Sequence, residues 1–332
     1  MKIAFLEVSK SDKIFLRRRL PDDELIFINE NLNEENIKKI KDCEVLSVFI
    51  YSQVNKKNLD KLLKLKLITT RSTGFDHIDA QTCKNKGISI CNVPFYGENT
   101  VAEHTFALIL ALSRNVHKSY LRTLRRDYST TGLMGFDLKG KTLGVIGAGR
   151  IGLHVIRIAK GFGMNVLAFD LNRDKFISEI LDFSYGTIEE VLKASDIITL
   201  HVPYNKYTHH LINKDNLRLV KKGAILINTA RGGIIETQAI IEALDKGLLS
   251  GVGIDVLEGE EMVLEEKKLN FDEKNLESMS HLIQDHILLS RDNVVFTPHI
   301  GFYSKEALER ILETTVESIE GFKKGNLVNS IS

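Results

Sequence analysis

The sequence has few cysteines, almost no net charge and no long apolar run. Its three cysteines include no CxxC pair, which argues against a disulfide framework and a structural zinc site and fits a reducing cytosol. A formal net charge of +1 gives no sign of a nucleic-acid or acidic-membrane partner. The longest apolar run, residues 106–112, is too short to span a bilayer, and the first apolar run lacks the length of a signal peptide core. We therefore expect a soluble, cytoplasmic protein without a bound metal.

Short apolar segments alternate with charged amphipathic segments along the sequence, whose 332 residues suffice for two domains with substantial cores. Predicted strands form a first series, 3–8, 25–28, 45–49, 67–70 and 88–92, and a second series, 143–146, 165–169, 196–200, 224–228, 251–255 and 293–296. Strands that alternate with helices predict parallel sheets that are covered by helices on both faces. The fold class is therefore α/β.

Two capping boxes mark predicted helix starts. One begins at Thr100 and predicts a helix to about Val116, which is apolar nearly all round and could lie in a domain core or in a subunit interface. The other begins at Thr187. A last amphipathic helix is predicted over 304–324. Residues 258–292 are a long charged stretch, helix-like from 275, which we expect at the surface near a site.

A glycine motif follows the predicted strand 143–146 and opens a helical run. Its residues are Gly147, Ala148, Gly149, Arg150, Ile151 and Gly152. In this strand–turn–helix context, G-x-G-x-x-G indicates a dinucleotide site. The first glycine allows the tight turn, the second lets the backbone approach a pyrophosphate, and the third lets helix and strand pack closely.

Asp170 ends the next strand, close to the ~20-residue spacing expected of the carboxylate that binds the adenosine ribose. A carboxylate there would repel a 2′-phosphate, so NAD is predicted rather than NADP, although Arg173 nearby could soften that preference. Two alternatives remain at this point: a glycine turn beside a surface aspartate, and a methyltransferase-like cofactor fold.

Three polar residues follow predicted strands at their carboxyl ends, where α/β sheets bind ligands. Arg231 can grip a carboxylate in a bidentate manner, His299 can exchange a proton near neutral pH, and a carboxylate at Asp255 or Glu260 can stabilise the imidazolium. Together they suit reduction of a 2-oxo acid. Singly, the arginine could be a surface ion pair and the histidine a packing residue, and Glu260 lies in an acidic run that leaves its register open.

The sequence resembles the D-isomer-specific 2-hydroxyacid dehydrogenases, and among them the D-lactate dehydrogenase branch. The resemblance covers nearly the whole chain. It is carried by RSTGFDHID (71–79), NVP (92–94), AEH (102–104), GAGRIG (147–152), HVP (201–203), NTARG (228–232), GIDV (253–256) and TPHIGF (297–302).

This resemblance implies a role for each catalytic candidate. His299 would be the acid/base, paired with Glu260. Arg231 would bind the substrate carboxylate, together with backbone N–H groups near Thr73 and Gly74. The reaction would be the NAD-dependent reduction of pyruvate to D-lactate, and its reverse.

The resemblance also implies the surroundings of substrate and cofactor. A small aromatic pocket would be built from Tyr51, Tyr96 and Phe302, the last in an H-x-x-F pattern with the catalytic histidine. Besides the glycine motif and Asp170, the cofactor would contact His201, Val202, Pro203, Thr208, Thr229, Ala230, Arg231, Asp255 and His299.

The fold implied by the resemblance has two Rossmann-like, doubly wound parallel-sheet domains with the site in a cleft between them. A flavodoxin-like substrate domain would comprise residues 1–98 and 300–332, and an NAD-binding Rossmann domain residues 99–299. Related proteins are usually homodimers that pack around the helix from Thr100 to Val116. The absence of a further domain after Ser332 speaks against the longer phosphoglycerate dehydrogenases.

Two rival functions remain from the sequence. The substrate could be a bulkier 2-oxo acid such as phenylpyruvate or 2-oxoisocaproate, or the protein could be an NAD-sensing corepressor-like binding protein. The absence of a long disordered tail favours the enzyme. One departure from the family is that the stretch between Glu260 and His299 is longer than in its shorter members.

Overall fold

A computed structural model describes residues 1–258 and 276–331, with the side chains of residues 276–282 excepted. The chain divides into two compact units. Unit 1 comprises Met1–Tyr96 and Ser304–Ser332, and unit 2 comprises Gly97–Tyr303. Each unit is built around its own parallel sheet. No helix within the described ranges is both long and apolar enough to cross a membrane.

The strands lie close to the predicted apolar segments. They are Lys2–Phe5 (β1), Glu24–Phe27 (β2), Val45–Val48 (β3), Leu67–Thr70 (β4), Ser89–Cys91 (β5), Thr142–Ile146 (β6), Asn165–Phe169 (β7), Ser184–Tyr185 (β8), Ile197–Leu200 (β9), Ala224–Asn228 (β10), Leu249–Ile254 (β11) and Val294–Phe296 (β12). The sequence did not predict β8, because a strand of two residues is too short to show alternation.

Helices connect the strands. They are Lys10–Arg19 (α1), Ile37–Ile40 (α2), Lys56–Leu59 (α3), Ala80–Lys86 (α4), Glu98–Ser113 (α5), Val116–Leu124 (α6), Arg150–Gly161 (α7), Lys175–Ile180 (α8), Ile188–Ala194 (α9), Lys214–Leu217 (α10), Thr237–Asp245 (α11), Leu276–Leu289 (α12) and Lys305–Lys323 (α13). The capping box predicted at Thr187 is confirmed, since its side chain accepts from the Glu190 N–H and the Glu190 carboxylate accepts from its N–H.

The prediction of a capping box at Thr100 was wrong. Helix α5 begins at Glu98, two residues before Thr100, and its N-cap Gly97 provides no side-chain cap. Glu103 does not reach back to an N-cap N–H, and its carboxylate instead accepts from the Asn99 amide at 3.3 Å. The helix also ends early, at Ser113, because Asn115 adopts a left-handed conformation with φ 52°.

Unit 1 contains a five-stranded parallel sheet in the order β2-β1-β3-β4-β5, which is the flavodoxin-like order. Strands β3 and β4 are buried throughout, as expected for central strands covered by helices on both faces. One of its two apolar clusters joins the two ends of the chain: Ile3 and Phe5 of β1 pack with Leu312, Val316 and Ile319 of α13.

Unit 2 contains a seven-stranded parallel sheet in the order β12-β11-β10-β9-β6-β7-β8. The chain moves outward from β6 in both directions, which is the Rossmann arrangement, and the switch point lies between β6 and β9. Helix α5 covers this sheet: Phe106, Leu108 and Ile109 are buried in the same cluster as β6 and β10 residues. The apolar surface of α5 therefore contributes to the core of unit 2.

Candidate active site

His299 lies in a tight turn directly after β12. Its φ of 52° is left-handed, a conformation that costs a non-glycine residue about 1–2 kcal/mol. The backbone N–H of His299 donates to the Asp255 carbonyl at 2.9 Å. The next two N–H groups, of Ile300 and Gly301, donate to the Asp255 carboxylate at 2.9 and 2.8 Å. The strained turn is thus held by one residue at the end of the neighbouring strand, as is common at active sites.

The Asp255 carboxylate is buried and receives further donors. Thr297 donates its hydroxyl, and His104 of α5 lies 3.3 Å away through Nε2, which is also 2.9 Å from the Thr297 hydroxyl. Burial acts to raise the pKa of Asp255, but the hydrogen bonds from His104, Thr297 and Gly301 outweigh it, so that the pKa lies below its usual value. Asp255 is therefore ionised at neutral pH, and its main structural role is to hold the His299 turn.

Arg231 follows β10, the strand next to β11 in the sheet. The buried Asn228 side chain shapes this turn: its amide donates to the Arg231 carbonyl at 2.9 Å and its oxygen accepts from the Ala230 N–H at 3.0 Å. One guanidinium nitrogen of Arg231 donates to the Ala230 carbonyl at 2.8 Å. The parallel register pairs Asn228 with Ile254 and Ile254 with Phe296. Because the three strands are neighbours, their ends carry Arg231, Asp255 and His299 side by side.

Phe302 lies three residues beyond the catalytic candidate, as the H-x-x-F pattern requires. Its ring stands edge-on to the His299 imidazole, with centroids 6.3 Å apart and planes 79° apart. Glu260, predicted as the partner of this imidazole, lies outside the described residues. An aromatic wall beside a proton-exchanging group suits a substrate with an apolar end.

Glu258, two residues before Glu260, has a structural use that the sequence did not reveal. Its carboxylate is 2.5 Å from Nε2 of His210 and accepts the Thr237 hydroxyl at 3.1 Å. Asp285 of α12 is buried, and within residues 1–258 and 283–331 one of its oxygens finds no hydrogen-bond donor. Burial, together with the negative charge of Glu258, raises the pKa of Asp285 to about 7.

Replacing Asp285 by Asn should stabilise the protein above neutral pH. Because the pKa rises on folding from 3.8 to about 7, folding takes up a proton between these values, and the free energy of unfolding falls as pH rises through that window. Asn carries no charge, so at pH 8 the free energy of unfolding of the variant should exceed that of the wild type by up to about 4 kcal/mol. Urea unfolding at pH 5 and pH 8 measures this, with the exposed Asp292→Asn as control. An unchanged pH profile in Asp285→Asn would contradict the assignment.

The glycine loop after β6 has the geometry that a dinucleotide requires. Gly147 has φ 101°, and a Cβ there would lie 2.6 Å from the His201 carbonyl oxygen. A Cβ at Gly152 would lie 2.0 Å from the Gly147 carbonyl oxygen, so helix and loop pack too closely for any side chain. Gly149 faces open space and is the N-cap of α7, with no side chain capping the first N–H groups. These uncapped N–H groups fit a pyrophosphate.

The remaining predicted cofactor residues surround this loop. Asp170 directly follows β7, and its carboxylate accepts from the Asn172 N–H at 2.8 Å, while Arg173 donates to the Gly186 carbonyl at 3.1 Å. His201 directly follows β9, and burial lowers its pKa to about 3, so the imidazole is neutral at physiological pH. The residues present therefore fit NAD.

Two short turns carry the other cofactor candidates. The Thr208 hydroxyl donates to the Pro203 carbonyl at 2.6 Å, which closes the turn that begins at Val202. The Thr229 hydroxyl is 3.0 Å from the Thr105 hydroxyl of α5, which ties the Arg231 turn to that helix. The predicted cofactor residues therefore lie in loops that follow strands of unit 2, except Arg150, Ile151 and Gly152, which form the first turn of α7.

The predicted substrate residues of unit 1 also follow strands. Tyr51 lies after β3, Thr73 and Gly74 after β4, and Tyr96 after β5. The Thr73 hydroxyl donates to the Val93 carbonyl at 2.8 Å, which joins the last two of these loops. They therefore share the carboxyl edge of the five-stranded sheet.

Comparison with known proteins identifies the family. Residues 106–301 match the NAD-binding domain of the D-isomer specific 2-hydroxyacid dehydrogenases. The D-lactate dehydrogenase of Escherichia coli is 35% identical over 98% of this chain and 98% of its own, and an aromatic 2-oxoacid reductase of Clostridium sporogenes is 35% identical over 91% and 83%. A crystal structure of D-lactate dehydrogenase from Aquifex aeolicus, complexed with NAD and lactic acid, superposes with a TM-score of 0.88 at 38% identity, covering 99% of this chain and 100% of the other.

These similarities favour an enzyme over an NAD-sensing binding protein. They also agree with the two parallel sheets and with the fit of the glycine loop to NAD. The chain belongs to the D-isomer-specific 2-hydroxyacid dehydrogenase family and is an NAD-dependent oxidoreductase.

Proposed function

We propose that this dehydrogenase reduces pyruvate to D-lactate and catalyses the reverse reaction. The observation that carries the proposal is the strained turn of His299, which Asp255 pins beside Arg231, with the Phe302 ring edge-on to the imidazole. The relatives named D-lactate dehydrogenase support the same substrate. Tyr51, Tyr96 and Phe302 would supply aromatic contacts for the methyl group of pyruvate.

In this proposal Arg231 binds the substrate carboxylate. Its planar guanidinium offers two parallel N–H donors, which fixes both the position and the plane of a 2-oxo acid. The N–H groups near Thr73 and Gly74 would complete the contacts to the same carboxylate. A substrate held in this way presents one face of its carbonyl, so that the product has a single configuration.

Bound NADH supplies the hydride to the 2-carbon of the substrate. His299 then has the task of protonating the 2-oxygen during reduction and of accepting that proton during oxidation. Glu260 would hold the imidazolium form by hydrogen bonding and opposite charge. The uncapped N–H groups of α7 and the Asp170 carboxylate would hold the cofactor at its pyrophosphate and ribose.

We also propose roles for the two units and for the assembly. Unit 1 would be the substrate domain, with its substrate contacts in the loops that follow β3 to β5, and unit 2 the NAD-binding domain. A homodimer through the α5–α6 surface is supported by α6, on which Val116, Tyr120, Leu121 and Leu124 are 55%, 62%, 55% and 63% exposed. The three cysteines are free and buried, which suits the cytoplasm.

A bulkier 2-oxo acid is the second candidate substrate. It is favoured by the aromatic 2-oxoacid reductase of Clostridium sporogenes, which is as similar in sequence as the Escherichia coli D-lactate dehydrogenase, at 35% identity. The same Arg231 and His299 would serve both substrates, so only the pocket around the substrate side chain distinguishes them.

The decisive experiment follows NADH absorbance with purified protein and a panel of pyruvate, glyoxylate, 2-oxoisocaproate and phenylpyruvate, and then assigns the configuration of the product. Fastest turnover of pyruvate to D-lactate is the expected result. A higher kcat/KM for phenylpyruvate or 2-oxoisocaproate would replace pyruvate by the bulkier acid. L-lactate as product would overturn the assignment of substrate orientation.

A further inference from the structure

The carboxylate of Glu7, at the end of β1, receives three hydrogen bonds from one loop. This loop, residues 49–52, follows β3 and is called the β3 loop below. The Phe49 N–H donates at 2.8 Å, the Tyr51 N–H at 3.1 Å and the Ser52 hydroxyl at 2.6 Å. Hydrogen bonds to an ionised acceptor are about twice as strong as neutral ones. One side chain therefore holds two backbone N–H groups and one hydroxyl group of this four-residue loop.

Glu7 is itself held in a strained conformation. Its φ of 54° is left-handed, which is costly for a residue with a long side chain. The guanidinium of Arg71, which is 4% exposed, donates to the carbonyls of Leu6 and Glu7 at 2.5 and 3.0 Å and to the Ser47 hydroxyl at 3.0 Å. Such strain persists only where the surroundings over-determine it, and it is concentrated at functional sites.

Glu7 and Arg71 connect two of the three loops of unit 1 that carry predicted substrate residues, those after β3 and β4. The sheet order β2-β1-β3-β4-β5 places the ends of β1 and β3 next to each other, with β4 beyond. The Glu7 carboxylate binds the β3 loop, which contains Tyr51. The backbone carbonyl of Glu7 accepts from Arg71, which lies two residues before Thr73. Glu7 and the buried Arg71 thus add side-chain hydrogen bonds that hold these loops relative to each other, besides the backbone pairing of β3 with β4.

We propose that Glu7 is a positioning residue that sets substrate specificity by fixing Tyr51. The Tyr51 ring stands edge-on to Phe49, with centroids 5.9 Å apart, so holding the backbone at residues 49 and 51 sets the positions from which both rings extend and favours their contact. A fixed ring keeps the pocket small and favours a methyl group over a larger substrate side chain. This inference rests on the proposed contact between Tyr51 and the substrate. Glu7 lies outside every motif that carries the family resemblance.

A purely structural role for Glu7 makes a different prediction. If the carboxylate only stabilised unit 1, its loss would lower the melting temperature and reduce the activity toward all substrates by the same factor. A positioning role changes the ratio of kcat/KM between pyruvate and phenylpyruvate. The ratio is independent of the amount of folded enzyme, so it separates the two roles.

The test is Glu7→Gln. The amide keeps the size of the side chain but presents an NH₂ group to N–H or hydroxyl donors, so the β3 loop must lose hydrogen bonds. We expect the KM for pyruvate to rise about tenfold with a smaller change in kcat, and the pyruvate to phenylpyruvate ratio to fall about tenfold. Hydrogen exchange at the Phe49 and Tyr51 amides should accelerate. The matched control is Glu44→Gln, a carboxylate before β3 that pairs with Lys66, for which the ratio should not change.

A double-variant cycle with Tyr51→Ala shows whether Glu7 acts through Tyr51. In the Tyr51→Ala background, adding Glu7→Gln should leave the ratio unchanged. A ratio that is unaltered in Glu7→Gln alone, or that falls equally in both backgrounds, would overturn the proposal. Should Glu7→Gln not fold, Ser52→Ala removes one of the three donors and should lower the ratio about threefold; an unchanged ratio there also overturns it.

The same measurements keep this inference distinct from the proposed function. If the wild type prefers another 2-oxo acid to pyruvate, the proposed substrate is wrong. The positioning role is then still tested by two measurements: the change in the ratio of kcat/KM between the preferred substrate and a bulkier one, and amide hydrogen exchange in the β3 loop. NADH affinity should remain at the wild-type value in every variant, because the cofactor residues lie in unit 2.

Discussion

Replacing His299 by alanine is expected to lower kcat for 2-oxo acid reduction about a thousandfold, within the range of ~10²–10⁴ that general acid–base catalysis contributes. The imidazole is the proton donor of the proposed reaction, and water in the emptied space would be a poorly placed substitute. The KM for pyruvate should change little, because Arg231 and the amides of unit 1 hold the carboxylate. Steady-state kinetics measures kcat and the KM for pyruvate, and a fluorescence titration with NADH checks that the variant still binds the cofactor.

The backbone at position 299 calls for a second variant. Alanine is poorly suited to the left-handed φ of 52°, whereas asparagine adopts it more readily. His299→Asn should therefore keep the hydrogen bonds of the Asp255 turn and the wild-type melting temperature, and it should lose kcat to the same extent. Near-native kcat in His299→Asn, with folding intact, would remove His299 from the catalytic role.

Replacing Arg231 by lysine is expected to lower kcat/KM for pyruvate about a hundredfold, mainly through KM. A lysine keeps the positive charge but cannot form two parallel N–H bonds to a carboxylate, and one bond to a charged group contributes roughly 1.5–3 kcal/mol. NADH affinity should be unchanged, because the charge and the Asn228-shaped turn are retained.

The matched control for this substitution is Arg218→Lys, an exposed arginine of unit 2 that pairs with Asp215. Its kinetics should equal those of the wild type, since exposed ion pairs contribute little. Equal kinetics in Arg231→Lys and Arg218→Lys would show that Arg231 does not bind the substrate carboxylate.

Much of the fold could be predicted from local pattern alone. The buried strands, such as β4 and β10, are continuous apolar runs between charged segments, and that contrast does not depend on tertiary structure. Helix α5 shows the limit. Its start at Glu98 and its end at Ser113 depend on Gly97 and on the left-handed Asn115, and neither leaves a clear signal in the sequence.

The candidate site likewise contains residues that the sequence could predict and roles that it could not. Arg231 and His299 could be predicted because polar residues after parallel strands meet at one sheet edge. The anchoring role of Asp255 could not, because it depends on His104, which is 151 residues earlier in the chain, and on a turn 45 residues later. The roles of Glu7 and Asp285 could not be predicted for the same reason. The hydrogen bonds of Glu7 are to a loop more than 40 residues away, and the raised pKa of Asp285 depends on its burial.

The α13 contribution to unit 1 has a consequence for synthesis on the ribosome. The apolar cluster around Ile3 and Phe5 is complete only when Leu312, Val316 and Ile319 have been synthesised. The whole of unit 2 is synthesised between β1 and α13. At ordinary translation rates the wait is roughly 10–40 s. During this interval the apolar cluster around β1 has Leu16 of α1 but lacks the three α13 side chains, whereas unit 2 has its entire sequence. We therefore expect the nascent chain to depend on chaperones for residues 1–96 and the cofactor-binding half to fold first.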